Sequence, residues 1–264
     1  MAHTHFAELL DLDAEVLSDY HATVFAWVSA AAPDRPHVLD LGAGTGIGSL
    51  SLARALPGAT VTALDVDEEM LGHLTHKAEA AGLADRIRTV RADLDQPWPD
   101  LGGPADLIWA SASMHHMADP GAALSRAYAA LRPGGVLAVT ELDAFPLFLP
   151  ASDPSSALER RAHEAMAAMR DEAGLHMHED WAARLKAAGF DPVEERRFDI
   201  ALEPPLPAAG GRYAQLSLER MSHGLAERLS PADVAALASA AEAAPGRDDL
   251  AVRATRMVYL ARTR

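Results

Sequence analysis

From about residue 37 the chain alternates two hydrophobic rhythms. Short apolar runs, such as VLDL at 38–41, TVTALDV at 60–66 and ADLIWAS at 105–111, take turns with longer stretches in which leucine and alanine return every three or four residues, such as IGSLSLARAL at 47–56 and DEEMLGHLTHKAEAAG at 67–82. The first rhythm suits a buried strand and the second a helix with one buried stripe. RIRTVRADL (86–94) and PGGVLAVTEL (133–142) bring the strands to five by residue 142. GAALSRAYAALR (121–132) adds a helix, introduced by Asp119-Pro120 as N-cap and first turn. This alternation predicts a parallel sheet covered on both faces.

After residue 142 the pattern changes. SSALERRAHEAMAAMRDEAG (155–174) and HEDWAARLKAAGF (178–190) read as helices, VEERRFDIAL (193–202) and TRMVYLART (255–263) as strands. The segment between those strands, PPLPAAGG followed by two helical stretches split at Ser230-Pro231, is longer than a hairpin needs and reads as a helical insertion. Ahead of the first sheet strand, residues 13–30 form an amphipathic helix with Val16, Tyr20, Val24 and Trp27 on one side.

The first strand runs into VLDLGAGTG, with glycine at 42, 44 and 46. Glycine there permits a tight turn at positive φ and lets a ligand approach bare backbone. The dinucleotide fingerprint G-x-G-x-x-G would need glycine at 47 or 49, where the chain has Ile47 and Ser49. The spacing is D-x-G-x-G-x-G, which disfavours a nicotinamide-dependent oxidoreductase, as does the lack of an obvious Tyr-x-x-x-Lys pair.

Composition narrows the partners. At 264 residues one domain is expected: a helical cap at 1–32, a cofactor-binding core at 33–145, and helical insertions at 146–177 and 203–250 that shape a substrate pocket. A formal net charge of -15 argues against a nucleic-acid partner. No apolar run reaches the roughly 20 residues that span a bilayer, and MAHTHFAELLDLD lacks the layout of a signal peptide, so a cytoplasmic protein without membrane contact is expected. The absence of cysteine excludes disulfides, thiolate metal sites and a cysteine nucleophile.

Five segments in order now resemble the motifs of class I S-adenosylmethionine-dependent methyltransferases, especially the small-molecule branch similar to quinone-biosynthesis methyltransferases: VLDLGAGTG, ALDVDEEML, RADLDQP, ADLIWASASMHHMADP and LRPGGVLAVTEL. The resemblance covers roughly residues 37–142 strongly, and the strand pair at the end agrees with it. It implies an α/β, Rossmann-like, seven-stranded and mostly parallel sheet, in the order 3-2-1-4-5-7-6 with the last strand antiparallel, helices on both faces and helical lid insertions. It also implies S-adenosylmethionine as cofactor and S-adenosylhomocysteine as product. Asp40, Gly42, Gly44 and Gly46 would then approach the methionine part. Asp65, with Val66 beside it, would hold the ribose hydroxyls, since a carboxylate accepts two hydrogen bonds. Asp93 would accept from the adenine amino group and the Leu94 N–H would meet a ring nitrogen, while Ser111 lies at the end of the fourth strand and Tyr20 would cover the methionine end. Asp67 competes with Asp65 as a strand-end acid but is the better helix cap, and Asp95 competes with Asp93.

The implied reaction is methyl transfer to O, N or C of a small organic molecule, in specialised metabolism. A hydroxyl or carbon acid needs a base, and His116, followed by His115, is the candidate on the loop after the fourth strand. The competing reading keeps the cofactor pocket in a non-methylating cyclase or sensor. His176 and His178 in GLHMHEDW invite a metal, but two histidines at i and i+2 diverge on a helix and the following acids suit a helix start, so no metal is expected. His163, Met166 and Arg170 share a helical face, and Arg160, Arg161 and Arg170 are candidates to meet an acidic substrate group. A monomer or homodimer is expected.

Overall fold

The computed structural model describes residues 2–264, with side chains from His5 onward. Its seven strands are β1 (His37–Leu41), β2 (Thr60–Asp65), β3 (Ile87–Arg91), β4 (Ala105–Ser111), β5 (Leu131–Leu147), β6 (Val193–Leu202) and β7 (Val252–Arg262), in one sheet of order β3-β2-β1-β4-β5-β7-β6. The pairs β1 with β2, β1 with β4, β2 with β3, and β4 with β5 are parallel. β7 runs against β5: the Ala251 N–H donates to the Phe148 carbonyl at one end and the Thr263 N–H to the Gly135 carbonyl at the other. The mixed sheet and its order are those that the motifs implied.

Helices α3 (Ile47–Ala55), α4 (Glu68–Ala80) and α5 (Pro120–Ala130) connect the parallel strands. Their ends follow from their sequences. The Asp67 carboxylate accepts the N–H groups of Glu69 and Met70 to start α4, and Asp119 accepts from Ala122 ahead of Pro120 to start α5. The residues covering β2 show why both faces of the sheet need helices. Ala63 belongs to a cluster with Leu50 of α3 and Leu74 of α4, whereas its neighbour Leu64 packs in a larger cluster with Leu124 of α5 and with Leu39 and Ile108. Adjacent strand residues point to opposite faces. Each fully buried leucine or isoleucine contributes about 1.5–3 kcal/mol.

Two expectations are corrected in extent. The helix read over 13–30 is two helices, α1 (Ala2–Val16) and α2 (Ser18–Ala31). The break follows Leu17, where Ser18-Asp19 supplies helix-start chemistry that the apolar rhythm conceals. In α2 the buried residues include Phe25 and Val28, while Trp27 is half-buried beneath the Arg196 guanidinium, 3.8 Å from its ring centroid. Strand β5 also continues five residues beyond Leu142, through the polar LDA, because its extension meets the start of β7.

The chain divides into two compact units. One comprises Asp19–Leu142, Leu175–Phe198 and Met257–Arg264 and contains the parallel strands and α7 (Trp181–Ala187). The other comprises the chain up to Ser18, Asp143–Gly174 and Asp199–Arg256, and contains α1, α6 (Ser156–Glu172), α8 (Gly210–Gly224) and α9 (Pro231–Ala243). Inside this helical unit Asp13 of α1 joins Tyr213 of α8, whose hydroxyl donates to it, and Arg256 of β7, whose guanidinium lies 3.0 Å away. Arg256 is buried and its other arm donates to the Ala144 carbonyl. The helical segments at 155–174 and 210–243 both fall in this unit.

Candidate active site

The order β2-β1-β4-β5 places the reversal of strand order between β1 and β4. In open α/β sheets the crevice at that point, beyond the carboxyl ends of the strands, is where ligands bind. Gly42, Gly44 and Gly46 leave β1 there with φ of 71°, 52° and 87°, all left-handed. The N–H groups of Gly42 and Ala43 both donate to the Leu64 carbonyl at 2.9 Å, which ties the turn to β2. Space also requires glycine. A Cβ on Gly42 would lie 2.5 Å from the Ser113 Cβ, and one on Gly46 2.1 Å from Leu74 Cδ1.

Asp40 and Asp65 flank this turn differently. Asp40 is buried, and its Oδ2 accepts the Ser49 hydroxyl at 2.6 Å, so it braces the first turn of α3 against β1. Burial pushes its carboxyl up to about 6, against the opposing pull of Ser49. Asp65 accepts the Gly44 N–H at Oδ2 (2.8 Å) and the Asp67 N–H at Oδ1 (2.9 Å). Each oxygen has two lone pairs, so one acceptor direction per oxygen remains for a pair of hydroxyls. Val66 beside it is 60% exposed, an apolar surface at the strand end.

The loop after β3 sorts its two acids. Both oxygens of Asp95 accept the Ala118 N–H, at 3.0 and 3.1 Å, so this acid holds the loop that carries the histidines. Asp93 uses Oδ1 to accept the Asp95 N–H. The Leu94 carbonyl accepts from Trp98 and Arg126.

At the end of β4, opposite Thr140 on β5, Ser111 leads into Ala112, a non-glycine residue at φ 50°. Strained backbone of this kind survives where the surroundings overdetermine it. Here the Ala112 N–H donates to the Thr140 carbonyl and the Ser113 hydroxyl to the Leu41 carbonyl, both at 2.8 Å. Glu141, the next residue of β5, is buried. Its Oε1 accepts the N–H groups of Met114 and His115, and its Oε2 lies 2.6 Å from His115 Nδ1. A carboxylate only accepts, so Nδ1 carries the proton and Nε2 is left basic. His115 is buried, whereas His116 is exposed, with the two ring centroids 4.2 Å apart.

Thus Asp40, the three glycines, Asp65, Ser111 and His115 come together around the ends of β1, β2, β4 and β5. Tyr20 packs edge-on against Phe198 and His21 at 5.4 and 5.0 Å. The His176 N–H donates to the His115 carbonyl at 3.0 Å, while its Nδ1 is 2.8 Å from Glu179; Arg184 first, and then His176, keep the Glu179 carboxyl down at about 2. Asp180 caps α7. Sequence reasoning missed Glu141, Ala112 and Gly48. A Cβ on Gly48 would stand 2.4 Å from the Trp109 indole nitrogen, a close approach with no local signature.

Residues 38–135 match the family described as a methyltransferase domain. This segment is a methyltransferase domain, of the class I kind that the motif order implied. The chain is 27% identical over 187 residues to 27-O-demethylrifamycin SV methyltransferase of Amycolatopsis mediterranei, covering 70% of this chain and 65% of that enzyme. It is 39% identical over 114 residues to trans-aconitate 2-methyltransferase of Deinococcus radiodurans, covering 42% and 41%. It therefore spans less than two thirds of the length of either curated relative. The crystal structure of the [4+2]-cyclase SpnF shares the fold, with a TM-score of 0.55 at 24% identity over 91% of this chain and 80% of that one.

The site passes a test of fit for S-adenosylmethionine on its own geometry. The turn is a cradle that a Cβ would fill, Asp65 retains an acceptor direction on each oxygen, and the Thr140 hydroxyl, on β5 opposite Ser111, is buried with no partner among the described residues. No helix among the described residues is long and apolar enough to cross a membrane.

Proposed function

We propose that this chain binds S-adenosylmethionine and transfers its methyl group to a small organic acceptor. The observation that carries the reading is the buried pair of His115 and Glu141 standing at the same strand ends as the glycine turn and Asp65. The fold also serves a cyclase, so cofactor binding by itself does not establish transfer.

Gly42, Gly44 and Gly46 bring bare backbone to the methionine part, with Asp40 and Ser49 fixing the turn from beneath. Asp65 accepts from the two ribose hydroxyls. Val66 offers an apolar surface for the adenine, whose amino group donates to Asp93 and whose ring meets the Leu94 N–H. Ser111 and Tyr20 close the methionine end. When bound, the cofactor supplies an activated sulfonium methyl and leaves as S-adenosylhomocysteine.

The remaining work is alignment, exclusion of water and removal of the acceptor's proton. We assign the proton to His115 Nε2. Glu141 fixes the ring's tautomer and orientation and stabilises the imidazolium as it forms, with His116 at the exposed side of the pair. Our assignment places His115 ahead of His116 because a buried carboxylate stands 2.6 Å behind the His115 ring. The strongly negative charge and the absence of a basic cluster in the sequence favour a small-molecule acceptor over nucleic acid.

The test is incubation with S-adenosylmethionine carrying an isotopically labelled methyl and a fractionated metabolite extract, read by mass spectrometry. Label in one metabolite, lost in Gly44→Asp, supports the reading. Cofactor binding without transfer to any fraction would favour a cyclase or sensor.

A further inference from the structure

Apart from the solvent-exposed Arg160, the helical unit holds two arginines that no carboxylate meets among the described residues. Arg161, Arg212, Arg228, Arg247, Arg253 and Arg256 each pair with an aspartate or glutamate. Arg170 of α6 and Arg220 of α8 instead lie over aromatic rings, 3.8 Å from the Phe145 centroid and 4.5 Å from the Phe6 centroid. In a chain with 38 acidic and 23 basic residues, apart from histidine, two arginines left without an acid need a reason.

Their surroundings make the omission costly. Burial, and after it the charge of Arg220, lowers the Arg170 pKa from its ordinary value, and burial lowers that of Arg220. Arg220 is nonetheless open to solvent. Cation-π contact contributes about 0.5–1 kcal/mol at accessible sites, less than the roughly 1.5–3 kcal/mol of a hydrogen bond to a charged group. The rings therefore hold the guanidinium planes in place without satisfying their donors.

A third polar group lies beside them. His163 is two helical turns before Arg170 and stacks on the same Phe145, with centroids 6.4 Å apart. Burial, with Arg170 adding to it, pulls its pKa down to about 4, so the ring is neutral near pH 7. One ring nitrogen bonds the Pro146 carbonyl, and Nε2 is buried without a partner. The neutral ring then presents Nε2 as an acceptor.

We propose that Arg170 and Arg220, with Phe145 and His163, form a binding site for a small organic anion. Its carboxylate or phosphate oxygens meet the guanidinium donors, and a neighbouring hydroxyl or N–H meets His163 Nε2. The ligand class that this donor set selects is the organic acids or phosphate esters.

The test titrates the full chain by calorimetry with malonate in one arm and inorganic phosphate in the other, at ionic strength fixed with chloride. One or both bind, at least 10-fold more weakly in Arg170→Gln and Arg220→Gln, with Arg170→Lys in between because it keeps the charge and loses the fork. Absence of binding in both arms, or equal binding by the variants, overturns the site. Should the glutamine variants not fold, Arg170→Lys decides: unchanged affinity overturns the proposal. S-adenosylhomocysteine is titrated separately. Its failure to bind would remove the methyl-transfer reading while leaving the anion result to stand or fall by its own arms.

Discussion

His115 Nδ1 stands 2.6 Å from Glu141 Oε2, and the other oxygen of the same carboxylate holds the backbone N–H groups of Met114 and His115. One buried side chain therefore sets both the path of the histidine loop and the orientation of the ring. Glu141→Gln retains an acceptor for the backbone and removes the charge that stabilises an imidazolium. With the acceptor identified by label, kcat falls about 100-fold or more in Glu141→Gln and His115→Gln, and less in His116→Gln. A silent Glu141→Gln alongside a crippled His116→Gln would return the base to His116.

The glycine turn predicts a loss that relieving the clash does not fully repair. Gly42→Ala introduces a Cβ against Ser113 at a positive φ, and S-adenosylhomocysteine binding is lost with a stability decrease of about 1–3 kcal/mol. Adding Ser113→Gly removes the steric partner, restores part of the stability and leaves the φ strain in place. Denaturant titration and calorimetry of both variants check this.

The two strand-end acids separate by affinity. Asp65→Ala removes the acceptor of the Gly44 N–H as well as the proposed ribose contacts, so S-adenosylhomocysteine binds 100-fold or more weakly, by about 3–4 kcal/mol. Asp93→Ala loses about 10-fold. Equal losses would place the ribose elsewhere.

Glu159 gives the helical unit a pH dependence. Its buried carboxyl accepts the N–H groups of Phe148 and Leu149, and burial nonetheless pushes its pKa from 4.5 up to about 7. The folded state holds a proton that the unfolded chain releases between those values, so this contribution to stability is fully present below pH 4.5 and is lost as pH rises through 7. The full range is on the order of 3 kcal/mol. Glu159→Gln removes this slope at a fixed loss, since one N–H then lacks an acceptor. Urea unfolding at pH 5 and pH 8 measures the difference between wild type and variant.

Asp13, Tyr213 and Arg256 form the polar junction of the helical unit. Asp13→Ala leaves the buried Arg256 without its carboxylate and destabilises by about 3–5 kcal/mol. Tyr213→Phe keeps the ion pair and costs about 1 kcal/mol. Chemical denaturation of both variants tests the ranking.

The parallel strands, their helices and the acids at strand ends were legible because each follows from local chemistry: apolar runs, caps at Asp67 and Asp119, and glycines at positive φ. The sheet order came from the family resemblance. Glu141 was hidden because nothing in TEL distinguishes a buried glutamate from a solvated one. Its role depends on β5 lying beside β4, a long-range pairing. The break at Leu17 and the extension of β5 escaped for related reasons, helix-start chemistry beneath an unbroken apolar rhythm in one case and tertiary pairing of a polar segment in the other.

The anchors of the histidine loop are Ser113 against β1, Glu141 on β5 and Asp95 after β3, and all three belong to the unit that carries the parallel strands. None of them needs a residue from the helical unit. Sequence drift in the helical segments can therefore accumulate while the loop that carries His115 keeps its path.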